Sequence, residues 1–210
     1  MKNQKGEFTM STIKKHDFIE IDFTGTVQED GMVFDTTKKE IAQEHGLDDG
    51  SKPFEPLVIC VGEGHVLPGI DEFLEGKEPG AYELEIPPEK GFGKRNASYI
   101  QLVPTSKFKK QGIQPQPGMQ VNVDDSMGIV KTVSGGRTIV DFNHPFAGRS
   151  LHYTIEVKGI VTDPQKQISS LLSVKYGVSQ IGVDVAEGVC TLTFKQELPE
   201  EIREELKKEI

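Results

Sequence analysis

The chain has no tryptophan and only two cysteines in 210 residues. Cys60 and Cys190 lie far apart, each inside an apolar run. The pattern favours two buried thiols in a reducing compartment over a structural disulfide. No stretch approaches eighteen consecutive apolar residues, so no membrane-spanning helix is expected. The first residues also lack the apolar core of a secretory signal, and the expected location is the cytoplasm. Positive charge is scarce: 24 Lys and Arg stand against 33 Asp and Glu, a net charge of -9. Such a surface repels nucleic-acid phosphates and anionic membranes, so neither is an expected partner. Motifs of hydrolytic, nucleotide and metal chemistry are missing too. G-x-S-x-G, the P-loop, H-E-x-x-H and C-x-x-C do not occur, and the five histidines do not pair at metal-ligand spacing. No metal and no cofactor are expected.

What the chain does have is turns, with 22 Gly and 12 Pro, and a length that suits two or three compact units. Residues 18–27 alternate as a strand, Glu29-Asp30-Gly31 turns, and Met32-Val33-Phe34 resumes the strand. Thr37 is placed to cap a short helix that Gly46 ends. Residues 57–61 form a compact apolar strand. Residues 70–75 put Ile70, Phe73 and Leu74 on one helical face, and 82–86 alternate again. From 96 to 143 the texture changes to a short helix near 105–111, then strands 119–123, 128–134 and 137–143, the last two joined by Gly135-Gly136. This unit has its own apolar set: Val103, Phe108, Val121, Val123, Ile129, Val133, Ile139 and Phe142. One long alternating strand follows at 151–161, so the small unit reads as an insertion into a β-rich host.

Asp163-Pro164 opens a further helix ended by Gly177. Two strand-like runs occupy 181–194, and a last helix starts at Pro199 with no stop signal before residue 210. Residues 1–13 read as an extension or tag, with Met10 a candidate start.

The ordered motifs carry a resemblance. Ile21-Asp22-Phe23-Thr24-Gly25, then Phe34-Asp35-Thr36, then Val61-Gly62-x-Gly64-x-Val66-Leu67-Pro68-Gly69-Ile70, then Gly91-Phe92-Gly93, resemble the core of FKBP-type peptidyl-prolyl isomerases. Asn143-His144-Pro145-Phe146-Ala147-Gly148-x-x-Leu151-x-Tyr153 resembles the SlyD-like branch, whose flap carries an inserted folding-helper module. The resemblance covers about 14–161, and the third section resembles the C-terminal extension of long archaeal members. It implies an α+β fold, an antiparallel sheet wrapped on a short helix, formed by 14–95 plus 144–161. Residues 96–143 would be the insert and 162–210 a small α+β C-terminal section.

The resemblance further implies a prolyl pocket. Asp35, Phe34, Tyr153 and Phe92 would be its catalytic residues, and Phe23, Leu57, Val66, Leu67, Ile70 and Phe146 would bind substrate. This chain departs from the family where Ile70 stands at a common tryptophan position and Phe23 and Phe92 at common tyrosine positions. A hydrogen bond from position 92 to substrate is thereby lost. The arginine that often partners Asp35 has no counterpart, only Lys38, Lys39 and Lys52. Without the family pattern, Phe23, Phe34 and Tyr153 read first as core packing and Asp35 as a helix cap.

Partners would be unfolded or proline-containing polypeptides, held by exposed apolar residues of the insert such as Ile100, Val103, Phe108, Met119 and Met127, or else these are the insert's own core. Two alternatives stand beside the isomerase. One is a non-catalytic holdase. The other is a peptide-docking module whose C-terminal section makes a homodimer.

Overall fold

The computed structural model describes residues 8–50, 53–177, 182–186 and 189–194. Its framework is a six-stranded antiparallel sheet built on two long strands, β2 (Phe18–Val27) and β10 (Leu151–Val161). In β10 every second residue from Leu151 to Val161 is buried, the period of a strand with one face on a core. β2 pairs with β10, opposing Tyr153 to Gly25 and Ile155 to Phe23. On the outer side of β2 lie β3 (Val33–Thr36) and β4 (Leu57–Cys60). On the outer side of β10 lie β5 (Gly80–Ile86) and the short β1 (Phe8–Thr9). The sheet closes on α2 (Pro68–Leu74), whose Ile70 and Leu74 join Ile19, Ile21, Ile59, Ile86 and Ile155 in one core. Each such side chain contributes about 1.5–3 kcal/mol by leaving water.

Two expectations are corrected here. Phe8 and Thr9 are not a loose extension, since they pair with Val161 and Ile160. Ile13 is likewise buried, and its backbone bonds Lys77 and Gly76. Thr37 does not cap α1 (Lys39–Glu44), whose N-cap is Lys38 without a side-chain bond. The Thr37 hydroxyl is recruited by the sheet: it accepts from the Phe23 N–H at 2.9 Å and donates to Asp22 at 2.7 Å.

The insert is a separate four-stranded sheet, its strands in the spatial order first, fourth, third, second. Its members are β6 (Ile100–Pro104), β7 (Gln120–Val123), β8 (Ser126–Ser134) and β9 (Arg137–Asp141), with α3 (Thr105–Lys110) against one face. Strand β6 is absent from the sequence reading. Its five residues bury only Val103, so no alternation announces it. Gly135 and Gly136, both at positive φ, make the β8–β9 turn.

Helix α4 (Pro164–Tyr176) is capped as expected, with Asp163 accepting from the Gln165 N–H and Gly177 left-handed at φ 64. It packs on the edge of β4: Leu172 is buried there, and the Ser170 hydroxyl donates to the Val58 carbonyl. Strands β11 (Gly182–Ala186) and β12 (Val189–Thr193) form a hairpin. The helix expected from Pro199 lies outside the described residues. Cys60 and Cys190 are free, and Cys190 is half-exposed rather than buried. No helix of the described residues is long and apolar enough to cross a membrane.

Candidate functional site

Three neighbouring strands bring Asp35, Gly25 and Tyr153 side by side, since Gly25 opposes Asp35 on β3 and Tyr153 on β10. Directly opposed residues share a face of the sheet. The middle position has no side chain, and the space above it is filled from both sides. A Cβ at Gly25 would meet the Tyr153 ring at 2.8 Å and the Phe34 ring at 3.0 Å. The glycine is what allows both rings to lie over β2.

From there aromatic contacts run outward. Tyr153, 3% exposed, meets Phe23 with centroids 5.9 Å apart and Phe34 edge-on at 5.9 Å. Phe34 contacts Phe146 at 4.7 Å and Phe92 edge-on at 5.7 Å. Phe92 stacks on His144, 4.3 Å apart and 10° from parallel. Phe92 sits after a tight turn at 88–90, and His144 and Phe146 lie on the loop leading into β10, so three separated segments meet. Offset and edge-on pairs add about 0.5–1.5 kcal/mol each beyond their burial. Burial, and then the charge of Asp35, push the Tyr153 phenol above its ordinary range, so it stays a neutral hydroxyl.

Of the sequence-named residues, Phe23, Phe34, Phe92, Phe146 and Tyr153 are thus brought together by ring contacts, with Asp35 beside Tyr153. Leu57, Val66, Leu67 and Ile70 belong to the same apolar cluster, Ile70 buried and the others half-buried. The loop carrying Val66 and Leu67 is held from beneath. Buried Asp71 accepts from the N–H groups of Gly62 and Gly64 at 2.8 and 3.0 Å, and His65 Nδ1 accepts from Cys60 N–H at 3.1 Å. Both glycines have positive φ, which the turn requires. His144 and Asp71 were not singled out in sequence. The Asn143-His144-Pro145 run was visible, but a ring stack between distant segments was not.

A cavity of about 420 Å³ lies on the Thr154 and Glu156 side of β10, and one of about 650 Å³ lies between β4 and α4. Neither is lined by the ring cluster, whose chemistry outweighs their volume as a guide to the site.

In the insert, Val103 and Phe108 are buried, 6% and 1% exposed, with Val121, Val123, Val130 and Val140. They are core, not surface. Ile100, Met119 and Met127 are exposed, and so are Tyr99, Leu102 and Ile139, the last expected among the insert's own apolar set. Among the described residues no cluster of three or more His, Cys, Asp or Glu could hold a metal.

The site thus consists of packed rings from separate segments, with the Tyr153 hydroxyl and the Asp35 carboxylate on either side of Gly25. A model of FKBP-type peptidyl-prolyl cis-trans isomerases matches residues 10–109, and a model described as "FKBP26, IF domain" matches 101–146. The short-type peptidyl-prolyl cis-trans isomerase of Methanocaldococcus jannaschii is 33% identical over 152 residues, 72% of this chain and 96% of that protein. The FKBP-type isomerase SlyD of Haemophilus influenzae is 33% identical over 121 residues, 55% of this chain and 63% of its own length. A probable FKBP-type 16 kDa isomerase of Pseudomonas fluorescens is 34% identical over 108 residues, 49% of this chain and 71% of that one. The chain belongs to the FKBP-type peptidyl-prolyl cis-trans isomerase family, in its SlyD-like form. It is a peptidyl-prolyl cis-trans isomerase.

Proposed function

We propose that the cleft of Phe34, Phe92, Phe146 and Tyr153 is where the X-Pro bond is turned, and that the insert holds the unfolded chain to which that bond belongs. The observation that carries the first half is the convergence of these rings beside Asp35, with Tyr153 and Phe34 over Gly25, and Phe92 and Phe146 against Phe34. Rotation about X-Pro breaks amide resonance against a barrier of about 18–20 kcal/mol and needs no proton transfer. The twisted amide has a less polar carbonyl than the planar one, so a dry aromatic cleft favours it over the ground state. Lowering the barrier by about 4 kcal/mol corresponds to roughly 10³-fold in rate. Phe23, Leu57, Val66, Leu67 and Ile70 complete the apolar wall. Asp35 and the neutral Tyr153 hydroxyl supply the polar edge against which the rotating carbonyl is oriented.

The second half is supported by the exposed apolar side chains of residues 96–143. Tyr99, Ile100, Leu102 and Met127 are 43–56% exposed, Ile139 37% and Met119 36%. Tyr99 and Met127 also border a hollow of about 360 Å³ with Phe142 and Val123. A flexible thioether beside aromatic rings suits loose, unselective contact with apolar segments. A tethered second site raises the effective concentration of a prolyl bond at the cleft without new contacts there. Unfolded or proline-containing polypeptides are accordingly the proposed partners, and the free thiols of Cys60 and Cys190 suit the reducing cytoplasm.

Replacing residues 97–142 with a short linker, which keeps the Asn96–Asn143 pair beside His144, separates the two roles. Turnover of a short X-Pro peptide should stay within about threefold of the parent, while catalysed refolding of a proline-limited protein should fall by an order of magnitude or more. Equal losses on both substrates would rule out the two-site reading.

A further inference from the structure

The ring contacts lead from the buried Tyr153 through Phe34 and Phe92 to His144, an exposed residue at the mouth of the cleft. The imidazole is held in three ways. It lies flat on Phe92, 10° from parallel. Its Nδ1 accepts the Phe146 backbone N–H at 3.2 Å. The residue before it, Asn143, is clamped: its side chain accepts from the Asn96 N–H at 2.7 Å and donates to the Asn96 carbonyl at 3.1 Å, and its own N–H donates to Asp141. Asp141 is buried and paired with Arg95 and Lys131.

Because Nδ1 is an acceptor, the neutral ring carries its proton on Nε2. Among the described residues Nε2 has no hydrogen-bond partner, so a donor fixed in direction stands open beside Phe92. Phe23, Phe34, Phe92 and Phe146 have no side-chain donor, and the Tyr153 hydroxyl lies deep in the cleft. A peptide entering such a cleft brings backbone carbonyls that lose water and need a partner.

We propose that His144 is a specificity-determining residue of the isomerase, its Nε2–H donating to a backbone carbonyl of the peptide flanking the proline. This rests on the ring cleft being the prolyl site. His144 thereby sets how the peptide threads over Phe92, and favours substrates whose flanking carbonyl is free over those in which it is capped or already bonded.

The test compares the parent with His144→Phe, which keeps a ring on Phe92 and removes the donor, using an alanyl-prolyl tetrapeptide in a protease-free assay. A neutral hydrogen bond lost at a partly wet rim corresponds to about 3–10-fold, so kcat/KM should fall by that factor, carried mostly by KM. In ¹⁵N-labelled parent, saturating peptide should shift the His144 Nε2 resonance. His144→Gln, which retains an N–H donor, should lie between parent and His144→Phe, and it serves as the variant if His144→Phe fails to fold. Parent-like KM in the donor-free variant, or an Nε2 resonance unmoved at saturation, overturns the proposal. Phe34→Ala separates the two readings: if it is impaired while His144→Phe is not, only the role of His144 fails. If Phe34→Ala turns over peptide like the parent, the cleft itself is misplaced and the proposal falls with it.

Discussion

Gly25→Ala puts a methyl group where the Tyr153 and Phe34 rings already lie. The new Cβ would stand 2.8 and 2.9 Å from two Tyr153 ring atoms and 3.0 Å from Phe34. Comfortable carbon contacts are about 3.5–4.0 Å, so the rings must give roughly 0.5–1 Å. Tyr153 is buried between β2 and β5, with Leu84 opposite it, so its overlap is relieved only by a shift within the core, while half-buried Phe34 swings outward. Overpacking of this kind costs about 1–3 kcal/mol, which for a chain of this length lowers Tm by roughly 2–12 °C and leaves it folded. The catalytic loss should be larger than the stability loss suggests, because a displacement of about 1 Å can cost up to 10²-fold in rate. kcat/KM on a short X-Pro peptide is expected to fall about 10–100-fold at a temperature where circular dichroism shows the variant folded. Gly128→Ala is the matched control: its Cβ would meet Val140 at 2.6 Å and Phe142 at 2.8 Å, inside the insert and away from the rings. It should lose comparable stability and keep peptide turnover. A folded Gly25→Ala variant with kcat/KM within twofold of the parent would refute the placement of the site over this glycine.

Two further outcomes follow from the titrating groups around the Val61–Leu67 loop. Burial first, then the charges of Glu63, Asp71 and Asp17, push the Cys60 thiol up to about 11. At pH 8 only about 0.1% would be thiolate, so a thiol reagent should label one site, half-exposed Cys190, well before Cys60. Equal rates for both in the folded protein would contradict this. His65 is lowered from 6.5, mainly by burial, against the pull of Asp71 and Glu63. The folded state therefore binds fewer protons than the unfolded one. The contribution of His65 is complete above about pH 6.5 and is lost as pH falls below it toward the folded value. The His65→Asn variant, which keeps an acceptor for the Cys60 N–H, should show a flatter decline in stability than the parent between pH 6.5 and 5. Parallel curves would remove His65 from the account.

The long strands were legible because their side chains obey one rule over many residues. β10 alternates from Leu151 to Val161, and any reading of period two finds it. The aromatics of the candidate site were legible only through their order along the chain, since Phe23 or Tyr153 alone reads as core. In the insert the apolar set was found but its sides were not. A bulge between Val130 and Thr132 shifts the register of β8 on β9, so Val130, Thr138 and Val140 face inward and Ile139 outward. Strand β1 has two residues and exists only because β10 offers an edge, a tertiary fact without a local signal. The failed cap at Thr37 has the same origin: a hydroxyl suited to a helix end found a better partner in the adjacent sheet. The donor at His144 depends on a stack between loops some fifty residues apart, which no spacing rule predicts.

The central claim, that X-Pro bonds turn in the cleft bordered by Asp35 and Tyr153, is tested most directly by protease-free isomerisation of a short X-Pro peptide with the parent and with Asp35→Ala. The parent should accelerate the reaction, and the variant should lose about tenfold or more, some 1.4 kcal/mol of barrier lowering, without unfolding. A folded Asp35→Ala protein that isomerises the peptide as fast as the parent would place the chemistry elsewhere in the molecule.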